Sequence, residues 1–309
     1  MHSFPVFGIF HALPGERYRS MLNRLVRRCD LFRDTCSMKH YRQEAGMSLI
    51  ANFAVLSSRR AIFDLPVCDL GWDDALVFIN ELLSMPVGQT SISFVTARNM
   101  LMTLRDSEYR AVLTQNLLLP DGLGLDIASR VAHGSLFPAR LKAADFVPAL
   151  LTFMEVPRRI GLIGSTPEAV RTTAATFRRH APWHEFIIIS DSFSETADKS
   201  AIIKDIDRQW LDLLIVGTST ASKEKWIHKN IRADHARLVL AVGDLFDVVA
   251  GTVHHVPKFL RMIGLDRGYR GIHEATRRGL RYALDSATFL YYVLQYGVTR
   301  RRRLLRRST

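Results

Sequence analysis

The stretch LLLPDGLGLD, Leu117 to Asp126, runs from a short apolar segment through Pro-Asp-Gly into a newly periodic segment. A buried strand ending there sets the Asp121 carboxylate at a carboxyl edge, which is where open α/β sheets bind ligands. The same tripeptide is also ordinary turn chemistry, because Pro fixes φ and Gly tolerates positive φ. The surrounding sequence therefore has to supply the context.

Outward from this stretch the pattern alternates. On the amino-terminal side, spacing predicts a helix over 73–83, a strand over 91–96 and a helix over 99–113, before a strand at 117–119 and a helix over 123–132. On the other side follow a helix over 145–154, a strand over 159–163, a helix over 167–180, a strand over 186–190 and a helix over 197–210. Strands at 211–216 and 238–242 flank a helix over 221–231. Alternation at these lengths implies βαβ units, hence an α/β fold with a Rossmann-like parallel sheet flanked by helices. After Pro257 the pattern turns helical and basic. The expected division is a poorly ordered extension over 1–46, an α/β core over 47–257 and a basic amphipathic appendage over 258–309 that associates with a membrane.

The chain has 309 residues and is 48% hydrophobic and 23% charged, which suits a folded protein with a full core. Cys29, Cys36 and Cys68 have neither disulfide-framework nor metal-site spacing, and a reducing cytoplasm fits them. The net charge is +12, and most of it lies at one end: residues 258–309 hold thirteen Lys and Arg against three acids. Such a field attracts phosphate-rich partners, either nucleic acid or an anionic membrane surface. No apolar run reaches the roughly 18 to 20 residues that span a bilayer.

Several motifs invite chemistry. Gly161-Leu-Ile-Gly164-Ser165-Thr-Pro167 joins a strand to a helix, where amides can hold a phosphate, yet it has neither the three-glycine fingerprint nor a P-loop ending. Asp205 and Asp207 look like a paired-acid metal motif, but residues two apart on a helix point to different faces. His254 and His255 lack companion ligands at metal spacing. In VGDLFDVVAG, residues 242–251, Asp244 and Asp247 directly follow a strand and can accept bonds from ribose hydroxyls or a base, with helix capping by Asp244 as the other reading. In the tail, Arg270, Arg277 and Arg281 share one helical face and an apolar stripe including Leu284, Tyr291 and Leu294 forms another, ahead of the run RRRRLLRR.

Taken in order, these pieces resemble the bacterial WecG/TagA/CpsF glycosyltransferase family over roughly 91–282. The resemblance is carried by VTARN (95–99), DSEYR (106–110), LLLPDGLGLDIASR (117–130), AADF (143–146), RIGLIGSTPE (159–168), LDLLIVGTSTASKEKWI (211–227), VGDLFDVVAG (242–251) and GLDRGYRGIHEATRRGLRY (264–282). It implies an inverting, metal-independent transferase that uses no cofactor. Such an enzyme moves a sugar from a UDP-sugar to a polyprenyl-diphosphate-linked acceptor and is cytoplasmic and peripheral at the inner face of the cell membrane. Asp121 falls on the family's base, and Thr96 and Asn99 on its Thr and Asn. Asp247 falls on the acid near the nucleotide, and Arg270, Arg277 and Arg281 on arginines that meet diphosphate and membrane. Gly164, Ser165, Lys223 and Glu224 are the remaining donor or acceptor contacts expected.

The sequence departs from the family pattern where Gly-x-Pro-Lys-Gln-Glu is usual and Ser219-Thr-Ala-Ser-Lys223-Glu224 stands instead. It departs again at Asp266-Arg267, Glu274-Ala275 and His255-Val-Pro257. Homo-oligomerisation is left open, and no nucleic-acid partner is expected. Two other readings are a nucleic-acid binder using the arginine tail and a Rossmann-like sugar-nucleotide oxidoreductase or epimerase. A helix-turn-helix, zinc or stacking module is lacking for the first, and the three-glycine fingerprint for the second.

Overall fold

The computed structural model describes residues 59–84, 88–164, 166–191, 193, 199–218, 223–251 and 278–305, the side chains of 278–283 and 299–305 aside. The expected 1–46 extension, Ser165, His254, His255, Arg270 and Arg277 lie outside the described residues, as does the expected boundary at 257.

In chain order the elements are β1 (Arg59–Ile62), β2 (Leu65–Cys68), α1 (Trp72–Ser84), β3 (Thr90–Val95), α2 (Ala97–Arg105), α3 (Ser107–Gln115), β4 (Leu117–Pro120), α4 (Leu123–His133) and α5 (Ala143–Phe153). They continue with β5 (Arg159–Gly164), α6 (Pro167–His180), β6 (Glu185–Ser190), α7 (Lys199–Asp207), β7 (Leu211–Gly217), α8 (Lys223–Asn230), β8 (Ala236–Val242), α9 (Leu245–Val249) and α10 (Arg278–Leu305). The strands form one sheet in the order β1-β2-β4-β3-β8-β7-β5-β6. Every pairing is parallel except the β1–β2 hairpin.

The central strands read as continuous apolar runs because both faces are covered. One face packs Ile92, Phe94, Leu119, Leu162 and Leu240 under α1, α5, α6 and α9. The opposite face carries two clusters, one under α2, α3, α4 and α10 and the other under α7 and α8. Between them lies the buried Ser93, whose hydroxyl accepts a bond from Asn116 Nδ2 at 3.0 Å.

The expected α/β class and mostly parallel sheet are observed, with three local differences. The single helix expected over 99–113 is two helices, since Asp106 ends α2 and caps α3 by accepting from the Tyr109 amide at 2.9 Å. The helix expected over 197–210 stops at Asp207. The β1–β2 hairpin was not foreseen, because its two-residue turn is Phe63-Asp64, with φ of 50° and 62°, instead of the Asn or Gly that such turns favour. Neighbours hold this strained turn: Arg110 donates to the Phe63 carbonyl at 3.0 Å, and Phe63 packs edge-on against Phe289 and Tyr296 of α10.

Helix α9 is seated by two glycines that face each other across the β5–β7 register, Gly164 and Gly217. A Cβ on either would come within 2.8 Å of the buried Phe246 ring, and one on Gly164 would also reach 2.2 Å from Val170. Gly217→Ala should therefore cost about 1–3 kcal/mol by overpacking, measured by denaturant unfolding. An unchanged midpoint would show that α9 can shift without penalty.

Candidate active site

The parallel strands all end at one edge, and the loops beyond them carry the polar residues. The helices after β3 lie on one face of the sheet and α9 after β8 on the other, so the edge divides between β3 and β8. Such a switch point is where doubly wound sheets bind ligands.

On the β4 side stands Asp121. Val95 and Pro120 are register partners, and the Asp121 amide donates to the Val95 carbonyl at 2.8 Å, so Asp121 and Thr96 leave neighbouring strand ends together. Gly122, with φ of 96°, turns the chain from this point into α4, a conformation that few other residues adopt. Asp121 Oδ2 accepts from the Ala143 amide at 3.4 Å, so the start of α5 orients the carboxylate. Pro-Asp-Gly is here a turn whose acid stands at the sheet's carboxyl edge.

Thr96 opens α2. Asn99 Oδ1 accepts from the Thr96 amide at 2.9 Å and from the Thr96 hydroxyl at 2.7 Å, while Asn99 Nδ2 donates to the Tyr109 hydroxyl at 2.8 Å. On the β8 side, Asp244 precedes α9 and Asp247 lies within it. Partial burial, and then the neighbouring Asp244 carboxylate, hold the Asp247 carboxyl above the usual range.

At the end of β7, Lys223 and Glu224 begin α8 and both are buried. Lys223 Nζ donates to the Thr218 carbonyl at 3.0 Å and lies 3.5 Å from Glu224 Oε1. Burial raises the Glu224 carboxyl above its ordinary 4.5, with Lys223 opposing the shift. Among the described residues Glu224 Oε2 is buried with no hydrogen-bond partner, an arrangement that is costly to leave unmatched. Gly164 ends β5 beside the N-terminus of α6, where Pro167 occupies the first turn.

Residues 60–303 match the profile of a family described as "Glycosyl transferase WecG/TagA/CpsF family". The chain belongs to this family of glycosyltransferases. Among its relatives is an N-acetylglucosaminyldiphosphoundecaprenol N-acetyl-beta-D-mannosaminyltransferase of Bacillus subtilis (strain 168), 26% identical over 181 residues, which span 58% of this chain and 70% of the relative. A protein of the same name from Bacillus spizizenii (strain ATCC 23059 / NRRL B-14472 / W23) is 24% identical over 198 residues, spanning 62% and 76%.

This WecG/TagA/CpsF glycosyltransferase thus carries Thr96, Asn99, Asp121, Lys223, Glu224, Asp244 and Asp247 on one edge of its sheet, with Gly164 at the end of β5 on the same edge. Arg281 belongs to α10. Asp205 and Asp207 are not part of the edge: Asp205 is 3.6 Å from Arg208, and Asp207 is 2.9 Å from His235 Nε2. Among the described residues no group of three His, Cys, Asp or Glu is placed to hold a metal ion.

Three partners escaped the sequence reading. Tyr109 was visible only as a letter of DSEYR, yet it is fully buried behind Asn99. Arg140 donates to the buried Asp126 of α4, placing a half-exposed guanidinium near the Asp121 turn. Lys225 binds Asp106 at 2.8 Å and also Glu108, tying α8 to the α2–α3 corner. Pairs this distant in sequence have no periodic signature.

Helix α10 enters the core. Phe289 and Val293 are buried in the cluster that holds Val95, Leu118 and Leu125. A Cβ on Gly124 would meet Ala97 at 2.7 Å and Phe289 at 3.4 Å, so the helix approaches the segments that carry Thr96 and Asp121. Its other side exposes Leu284, Tyr291, Leu294 and Val298, and α4 exposes Ile127 and Val131. Among the described residues no helix is long and apolar enough to cross a membrane.

Proposed function

We propose that this glycosyltransferase moves a sugar from a UDP-sugar to N-acetylglucosamine carried on a polyprenyl diphosphate, with inversion and without a metal, at the cytoplasmic face of the membrane. The observation that carries this reading is the pairing of Asp121 with Thr96 on adjacent strand ends at the switch point of the sheet. The names of the two Bacillus relatives supply the acceptor class.

In this mechanism the Asp121 carboxylate takes the proton of the acceptor hydroxyl as the oxygen attacks the anomeric carbon. Attack opposite the leaving group inverts the configuration. Asp247 accepts hydrogen bonds from the ribose hydroxyls or from the base, while Gly164 and Ser165, which precede α6 in the sequence, contact the diphosphate. Lys223 and the tail residues Arg270, Arg277 and Arg281 offset the negative charge that develops on UDP. Glu224 Oε2 accepts a hydroxyl of the donor sugar. The exposed apolar side of α10, followed by the arginine run from Arg300, lies along an anionic lipid surface and brings the acceptor to the Asp121 turn.

Thermal stabilisation by nucleotide sugars tests the donor half. UDP-N-acetylmannosamine at a hundred times its Kd should add about 2.7 kcal/mol to stability. Stabilisation by nicotinamide dinucleotides instead, with no response to any UDP-sugar, would return the chain to the oxidoreductase reading.

A further inference from the structure

We propose that Tyr109 is a positioning residue of the transfer site, which acts by fixing the direction of the Asn99 amide and through it the hydroxyl of Thr96. The inference rests on the proposed role of Asp121 as the acceptor's base and takes Thr96, at the neighbouring strand end, as the residue beside it on the acceptor side. The orientation of the amide follows from its partners. The Thr96 backbone N–H can only donate, so the oxygen bonded to it at 2.9 Å is Oδ1 and the group bonded to Tyr109 is Nδ2. The Tyr109 oxygen therefore accepts.

The Thr96 hydroxyl must in turn spend its proton on Asn99 Oδ1, at 2.7 Å, and its oxygen accepts from the Asn99 backbone amide in a capping box, so toward a substrate hydroxyl beside Asp121 it can only accept, with one lone pair. An acceptor sugar is thereby met by two groups that both take protons. Each bond in the chain sets the polarity of the next, and Tyr109 is its anchored end. The tyrosine is fully buried, and burial followed by the nearby Glu224 carboxylate keeps its hydroxyl protonated far into alkali. Asp106 caps the helix that carries it, and Lys225 on α8 clamps that cap. Through Lys225, the helix that bears Lys223 and Glu224 is thus tied to the cap of the helix that carries Tyr109.

Tyr109→Phe in the full chain, compared with wild type, Asn99→Ala and the double variant, tests the inference. Phe keeps the ring and removes only the acceptor of Asn99 Nδ2. With UDP-N-acetylmannosamine and a polyprenyl-diphosphate-linked N-acetylglucosamine, kcat should fall roughly 10- to 100-fold, the scale of a small misplacement of reacting groups. The donor KM should change less than about threefold, and the double variant should be little worse than Asn99→Ala alone, as for residues that act as one unit. A Tyr109→Phe kcat within twofold of wild type, multiplicative losses in the double variant, or failure of Tyr109→Phe to fold would each overturn the role. Absence of transfer by wild type with every UDP-sugar would instead remove the proposed function, and this inference with it.

Discussion

Asp121→Asn should lower kcat for sugar transfer about 10³-fold, the middle of the range for a positioned general base. The amide keeps the size of the carboxylate, and its oxygen can still accept from the Ala143 amide, so the turn after β4 and the pairing of Val95 with Pro120 should survive. Thermal midpoint and donor KM should stay close to wild type. This combination separates a base from a turn residue: loss of structure would move all three quantities. Single-turnover transfer with purified protein is the appropriate reading, and retention of more than a tenth of the wild-type rate would remove Asp121 from the chemistry.

Phe289→Ala should be the most destabilising single change in α10, costing about 3–5 kcal/mol as for other buried aromatic truncations. Phe289 is buried in the same cluster as Leu118 and Leu125, and it packs at 5.8 Å, edge-on, against the strained Phe63 turn. A loss of that size is a large part of a whole domain's stability. Undocking of α10 would also free the Phe63-Asp64 turn from Tyr296, whose hydroxyl lies 3.4 Å from the Asp64 amide. Amide exchange should therefore accelerate in β1, β2 and α4 together, and transfer should fall because the helix no longer reaches the Asp121 turn. A cost under about 1 kcal/mol would mean that the docked face of α10 adds little.

The fold was largely legible in the sequence because fully buried parallel strands and amphipathic helices leave periodic traces. Leu211 to Gly217 and Ala236 to Val242 announce themselves as apolar runs, and Pro167 announces the start of α6. The hairpin was illegible because Phe63 and Asp64 adopt positive φ under tertiary restraint instead of local preference. The break at Asp106 was hidden for the opposite reason, since apolar spacing runs through a cap that the Tyr109 amide defines. At the site, Asp121 and Asp244 could be found from their position after apolar runs, and Thr96 from the resemblance to the family. The contacts around them, Tyr109 on Asn99, Arg140 on Asp126 and Lys225 on Asp106, could not, because their partners come from separate elements or turns with no shared period. Gly164 was read as a phosphate turn, and its structure adds a second reason for glycine, the Phe246 ring that fills the space of a side chain.

The most direct test of the central claim is the anomeric configuration of the product formed by the purified full chain. UDP-N-acetyl-α-D-mannosamine and a polyprenyl-diphosphate-linked N-acetylglucosamine, incubated with vesicles of anionic lipid, should yield a β-linked disaccharide and one UDP per transfer, with the chelator EDTA making no difference. An α-linked product, or transfer abolished by EDTA and restored by a divalent cation, would contradict the account of Asp121 as the base of an inverting, metal-independent transfer.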